Sequence, residues 1–181
     1  MEVAWYFHLF YIPILSAIVN VLLALAIKAK RMGGPEGGKP WMIGSTIGML
    51  VFIALGWFVT FSINLAFWIG LGIIVLGQVV FGLSCSAMRE HPEKTQTVVD
   101  WGIYRVTKHP HVIAGMMTTL GVIVMGWDWG SIMYIILWVY FVSEVAFNHF
   151  YILMEEKRNV EKFGQDYVDY IKRVPRYFLV K

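Results

Sequence analysis

The sequence GIYRVTKHPH at residues 102–111 is polar, and it runs directly into an apolar segment that begins at Val112. Proline suits the first turn of a helix, because the N–H group that it lacks would have no partner there. Pro110 therefore predicts the start of a helix. Lys108 and His109 would lie just before that start, at the edge of an apolar layer, and we call this place the mouth. We interpret the other apolar parts of the chain as members of this layer, and the other polar parts as segments that cover the mouth.

The composition of the whole chain excludes an ordinary soluble domain. Of its 181 residues, 58% are hydrophobic and only 15% are charged, and the mean hydropathy is +0.63. A soluble chain of this length lacks the interior volume to hide so many apolar side chains. We therefore expect an integral membrane protein that crosses the bilayer several times. Cys85 is the only cysteine, which excludes an internal disulfide.

Five apolar runs approach the length of about 20 helical residues that a bilayer crossing needs. They predict an all-α bundle of five transmembrane helices in a single domain, residues 1–181, with a cytosolic helical tail. The predicted spans are 4–27, 41–61, 65–88, 112–127 and 131–154. The fourth run is the shortest, and both a full crossing and a shallow hairpin with the fifth run stay open for it. Residues 89–111 and 155–181 are the two longest polar segments outside these runs.

The positive charges predict the orientation of the bundle. All fifteen Lys and Arg fall in the first loop, in the third loop or in the tail. The positive-inside rule places these three segments on the cytoplasmic face. With five crossings, the N-terminus is then outside and the C-terminus is cytoplasmic.

The fifth run carries polar side chains that are costly inside a membrane. A charged residue at the centre of a membrane helix costs about 2.5–3.5 kcal/mol on insertion scales. Four polar residues fall on one face of a helix, at i, i+4, i+7 and i+11: Glu144, Asn148, Tyr151 and Glu155. His149 and Glu156 lie on the neighbouring stripe. We expect this polar face to line an internal cavity or to bind an adjacent helix.

The tail after residue 154 is charged and aromatic. It contains the pair Glu155-Glu156, then FGQDYVDY at residues 163–170, and VPR at residues 174–176. Phe163, Tyr167 and Tyr170 recur at helical spacing, which is typical of an amphipathic helix on a membrane surface.

In combination, these tail motifs and the stretch at 102–111 resemble the isoprenylcysteine carboxyl methyltransferase family, and more broadly the membrane methyltransferases that include phospholipid N-methyltransferases. The family pattern is Gly-x-Tyr-Arg, Arg/Lys-His-Pro, a Glu-Glu pair, Phe-Gly-x-x-Tyr-x-x-Tyr and a Val-Pro-Arg end. This chain matches it at Gly102, Tyr104, Arg105, Lys108, His109, Pro110, Glu155, Glu156, Phe163, Gly164, Tyr167, Tyr170, Val174, Pro175 and Arg176. The match covers roughly the C-terminal half, and only the ordered set is specific.

The resemblance implies S-adenosylmethionine as cofactor, bound at the cytosolic end of the bundle without a Rossmann domain. Cofactor contacts of the family map onto Gln96, Thr97, Val98, Val99, Tyr104, His109, Pro110, His111, Val112 and Glu155. The catalytic candidates are His109, Glu155 and Glu156. The substrate-binding candidates are Tyr151, Glu144 and Asn148, and no metal is expected.

The chain departs from the family pattern at a few positions. After His-Pro the family often has Tyr and Gly, where this chain has Val112 and Ala114. Tyr151 stands where the family commonly has an Arg that faces the methyl acceptor. The identity of the acceptor is therefore less constrained than that of the cofactor.

The implied reaction is transfer of a methyl group to a lipidic acceptor that enters from the bilayer. The favoured acceptor is the carboxylate of a prenylcysteine-like molecule. Such a carboxylate is already ionised at neutral pH and needs no general base. An amine, as in a phospholipid N-methyltransferase, would need one, and Glu144 or His149 are candidates. An NADPH-dependent membrane reductase and a non-enzymatic lipid-binding protein are further alternatives. Membrane lipids are the expected surroundings, and nothing indicates nucleic acid or an obligate protein partner.

Overall fold

The computed structural model describes residues 7–28, 39–90, 98–128 and 130–178 of the chain. The fold is mostly helical, which confirms the predicted class. The helices are α1 Tyr11–Ile27, α2 Lys39–Gly56, α3 Leu65–Glu90, α4 Pro110–Met125, α5 Ile132–Phe163 and α6 Gln165–Arg173. A short 3-10 turn, Gly102–Arg105, precedes α4.

Two helical segments of the described chain are long and apolar enough to cross a membrane, Leu65–Arg89 and Ile132–Phe163. The other apolar helices are shorter: Tyr11–Ile27, Ile43–Gly56 and Pro110–Met125. At 1.5 Å per residue, the 16 residues of α4 extend about 24 Å, which is less than the ~30 Å hydrocarbon core. Length and composition thus support membrane association through two helices. They do not show the five crossings that the sequence predicts.

The first and second predicted spans extend beyond helices α1 and α2 at the end of the bundle that is far from the mouth. α1 begins at Tyr11 and not at residue 4, and α2 ends at Gly56 and not at residue 61. One strand precedes α1 and another follows α2. Together they form a two-stranded antiparallel sheet, Phe7–His8 with Thr60–Phe61. Strands of two residues are selected by the packing around them, so a continuous apolar run gives no signal for them.

At the mouth, the fifth predicted span is too short. α5 continues through the charged residues after 154 and ends only at Phe163. Glu, Lys and Arg are strong helix formers, so the end of the apolar run does not end the helix. The two glutamates at 155 and 156 are consequently held on a rigid helix.

Glycines allow α3 and α4 to approach closely beside the cavity described below. A Cβ atom added at Gly121 would lie 2.6 Å from the carbonyl oxygen of Gly70, so neither position tolerates a side chain without a shift of the backbone. Gly44 of α2 has a different neighbour, because its added Cβ would lie 2.9 Å from the ring of Phe147. It makes room for an aromatic side chain of α5.

The tail folds back onto the bundle at Gly164, between α5 and α6. Its φ of +59° is a conformation that glycine adopts readily and other residues do not. The turn buries Tyr167 and Tyr170 together with Val174 in a small apolar cluster. The aromatic face that was predicted to lie on a membrane surface is therefore packed against the protein itself.

Candidate active site

A cavity of about 810 Å³ reaches from the mouth of α4 into the middle of the bundle. Its polar end is lined by Tyr104, Lys108, His109, His111 and Glu155, and the wall along α5 continues with Tyr151, Asn148, Glu144 and Tyr140. Apolar side chains from α2, including Met49 and Phe52, line the far part. This volume is in the range of small-molecule sites in proteins.

The structure brings most of the predicted site residues to this one cavity. Those that line it are Val98, Val99, Tyr104, His109, Pro110, His111, Val112, Glu144, Asn148, Tyr151 and Glu155. Gln96 and Thr97 lie outside the described residues. Glu156 is absent from the described lining of the cavity and contacts His109, which does line it.

His109 lies between two carboxylates at the mouth. Its Nδ1 is 3.3 Å from Oε2 of Glu155, and its Nε2 is 3.4 Å from Oε1 of Glu156. Burial by itself lowers the pKa of His109, but the hydrogen bonds to Glu155 and Glu156 outweigh it and raise the pKa above the usual 6.5. A protonated imidazole donates from both nitrogens, which suits two carboxylate partners.

Glu156 joins the mouth to the tail through buried ion pairs. Its Oε1 lies 3.1 Å from Nζ of Lys108, and its Oε2 lies 2.6 Å from Nη2 of Arg176. The side chains of Lys108 and Glu156 are only 4% and 8% exposed, so each depends on the other for compensation of its charge. The hydrogen bond with Glu156 also raises the pKa of Arg176.

Hydrogen bonds to backbone carbonyls hold the tail over the same end of the cavity. The N–H of Lys108 donates to the carbonyl of Pro175 at 3.2 Å. The hydroxyl of Tyr170 donates to the carbonyl of Tyr104 at 2.8 Å, and burial raises the pKa of Tyr170, so that this hydroxyl keeps its proton. The tail thus forms part of the wall of the site.

Two hydroxyl residues of the site were not predicted. Ser84 of α3 is fully buried, and its Oγ lies 2.9 Å from the Tyr104 hydroxyl and 3.2 Å from Nε2 of His111. Thr119 of α4 donates to Oε1 of Glu144 at 3.3 Å. In the sequence each is one of two nearby hydroxyl residues in an apolar run, and this signal does not say which neighbour it contacts.

Comparisons with protein-family models, with curated proteins and with solved structures found no match to this chain. The polar end offers one carboxylate and two imidazoles to a hydrophilic ligand, and the apolar end offers aromatic and aliphatic walls to a lipidic one. The arrangement suits two ligands of opposite polarity that meet inside a single cavity.

Proposed function

We propose that this chain is a membrane methyltransferase that uses S-adenosylmethionine and transfers its methyl group to a lipidic acceptor. The acceptor that we favour is the carboxylate of a prenylcysteine-like molecule. The observation that carries the proposal is the meeting of His109 and Glu155 at the mouth of the cavity. The motif resemblance assigns both residues to the cofactor, although they come from distant parts of the chain.

The residues at the mouth fit the groups of the proposed cofactor. Glu155 borders the cavity, and its side chain is 26% exposed, so it can accept a hydrogen bond from an amino or hydroxyl group. His109 and Tyr104 form the wall beside it and would orient the ligand. When bound, S-adenosylmethionine supplies a methyl group whose C–S bond breaks as the acceptor oxygen forms the C–O bond, and its sulfur leaves as a neutral thioether.

The protein would contribute alignment and exclusion of water. Because a carboxylate acceptor is ionised at neutral pH, no residue has to remove a proton from it. The positive sulfonium and the negative acceptor lose their charges during the reaction, which a cavity of low dielectric constant favours. Alignment of two bound reactants accounts for about 7–11 kcal/mol of barrier reduction in favourable cases. Apolar walls around a rigid polar mouth serve both purposes.

We further propose that all five apolar helices cross the membrane, with the N-terminus outside and the mouth and tail in the cytoplasm. The distribution of Lys and Arg supports this orientation. The 16 residues of α4 would be accommodated by local thinning of the bilayer, at a modest free-energy cost. In this arrangement the soluble cofactor arrives from the cytosol and the acceptor arrives from the surrounding membrane lipids.

A phospholipid N-methyltransferase is the second candidate, because Glu144 borders the cavity and an amine acceptor requires a base. An NADPH-dependent reductase is less well supported. Its extra phosphate requires cations, and Lys108 is the only Lys or Arg among the described cavity-lining residues, where it is already paired with Glu156. A non-enzymatic lipid-binding protein would bind no adenosyl compound.

Calorimetry on the detergent-purified protein tests the proposal. We expect binding of S-adenosylhomocysteine and none of NADPH. His109→Ala and Glu155→Ala should each weaken that binding at least tenfold, since each removes a polar contact at the mouth. His149→Ala is the matched control, because His149 bonds to Tyr177 at 3.0 Å and is outside the described cavity lining.

Unchanged affinity in both mouth variants would contradict the site assignment, and binding of NADPH alone would contradict the proposed reaction class. Transfer of a labelled methyl group to a panel of prenylated thiols, fatty acids and phospholipids then identifies the acceptor. A label on none of these, despite binding of the adenosyl compound, would contradict the acceptor class.

A further inference from the structure

The middle of the cavity contains a second polar site, formed by Glu144 of α5 and Thr119 of α4, and Asn20 of α1 also lines the cavity. Oε1 of Glu144 accepts a hydrogen bond from Thr119. Oε2 of Glu144 and Oδ1 of Asn20 are buried, and neither has a hydrogen-bond partner among the described residues. We refer to Glu144 and Thr119 as the middle site.

When Glu144 is ionised, as it would be beside an ammonium group, its Oε2 is a hydrogen-bond acceptor without a donor, and Oδ1 of Asn20 is a further acceptor in the cavity. A buried acceptor without a donor carries the full cost of its desolvation, so a ligand that supplies donors is favoured. A carboxylate group of a ligand would instead add negative charge beside Glu144. The one Lys or Arg of the described cavity lining, Lys108, is paired with Glu156 and does not offset that repulsion.

The middle site is separate from the mouth. Glu144 precedes Glu155 by three turns of α5, which is about 16 Å along the helix axis. Met49, Phe52 and Phe147 supply apolar surface in the cavity wall. A ligand that reaches Glu144 therefore needs an apolar body as well as a donor group.

We infer that the middle site binds the amino group of a ligand with a long apolar body. The inference rests on the proposed function only for the statement that this ligand is the methyl acceptor; the binding itself does not require a methyl donor.

The test is equilibrium binding of radiolabelled hexadecylamine and hexadecanoic acid to the full chain in phosphatidylcholine nanodiscs at pH 7, with empty nanodiscs subtracted. We expect the amine to bind at least about tenfold more tightly than the chain-matched acid, as one charge-assisted hydrogen bond provides. Glu144→Gln should reduce this preference about tenfold, and Thr119→Val should reduce it less.

Ser143→Ala is the matched control, because Ser143 lines the cavity but its hydroxyl already donates to the carbonyl of Val139 at 2.9 Å. Its preference should equal that of the wild type. Equal binding of amine and acid by the wild type, or an unchanged preference in Glu144→Gln, would overturn the inference. Binding of S-adenosylhomocysteine by Glu144→Gln shows that this variant is folded. Loss of that binding in every protein, with the amine preference intact, would contradict the proposed function and leave the middle site standing.

Discussion

Two buried glutamates of α5, Glu156 at the mouth and Glu144 in the middle site, are satisfied in opposite ways. At the mouth, Glu156 has the partners Lys108, His109 and Arg176, and each contributes a donor. In the middle, one oxygen of Glu144 has a hydroxyl donor, and the other has no partner among the described residues. The mouth therefore stabilises the fold, whereas the middle site leaves free energy to be gained by a ligand.

The difference shows which polar residues are tied to structure and which are available for recognition. Removal of one partner from a fully paired buried network leaves the others uncompensated, which costs several kcal/mol. Removal of an acceptor that has no protein partner costs little, and its effect appears on the ligand. The following variants test this contrast, starting with the largest expected effect.

Glu156→Ala should destabilise the protein most, by about 3–5 kcal/mol, because it leaves the buried Lys108 without its counter-charge. A thermal unfolding scan in detergent measures the change. Glu161→Ala, an exposed site on the same helix, is the control and should unfold at the wild-type temperature. Equal midpoints for the two variants would mean that the mouth network does not stabilise the fold.

Gly164→Ala should cost about 1–3 kcal/mol, because a residue with a side chain is strained at φ +59°. An added Cβ meets no atom within 4 Å there, so only the backbone conformation opposes it. Gly82→Ala is the control, since Gly82 lies within α3 with equally open space, and a helical Gly→Ala change is neutral or stabilising. Thermal midpoints of both variants decide the comparison, and a stable Gly164→Ala would show that the turn does not constrain the tail.

Tyr170→Phe should cost about 0.5–1.5 kcal/mol, the net value of the hydrogen bond to the Tyr104 carbonyl. Limited proteolysis should also cut its tail sooner, because that bond helps to hold α6 on the bundle. Tyr11→Phe, which alters a half-exposed ring, serves as reference. Equal protease resistance of the tail in Tyr170→Phe and in Tyr11→Phe would contradict the role of the hydrogen bond from Tyr170 to Tyr104.

The dependence of stability on pH should show the smallest effect. The folded pKa of His109 is raised above 6.5, so its proton stabilises the fold fully below pH 6.5 and the contribution is lost as the pH rises through the folded pKa. Thermal midpoints should therefore fall from pH 6 toward pH 8.5, and His109→Gln should flatten this slope. His149→Gln should keep it, and a slope that survives in His109→Gln would assign the titration to another group.

The sequence predicted the walls of the site better than its connections. Helical spacing placed Glu144 and Tyr151 on one face, and both line the cavity, because spacing along a helix is a local property. The approach of residue 109 to residue 155 followed from the motif resemblance, since no periodicity relates residues on different helices. Helix ends were the weakest part, as the extension of α5 to Phe163 shows.

The connections that the sequence did not predict are between distant segments. Arg176 was one match in a motif, and nothing in its neighbours indicated that it would pair with Glu156. Ser84 had no more signal than any hydroxyl in an apolar helix, yet it bonds both Tyr104 and His111. Such partners are determined by the three-dimensional packing of helices, which the order of residues specifies only through the whole fold.

The pairing of Glu156 with Arg176 joins residues that are only 20 positions apart in the chain. A tether this short keeps a detached tail at a local concentration of about millimolar around its own docking surface. Reattachment should then take far less than a millisecond, since loops of comparable length close in well under a microsecond. A tail supplied as a separate peptide would lose this advantage, and it should restore the mouth of a truncated protein only at millimolar doses.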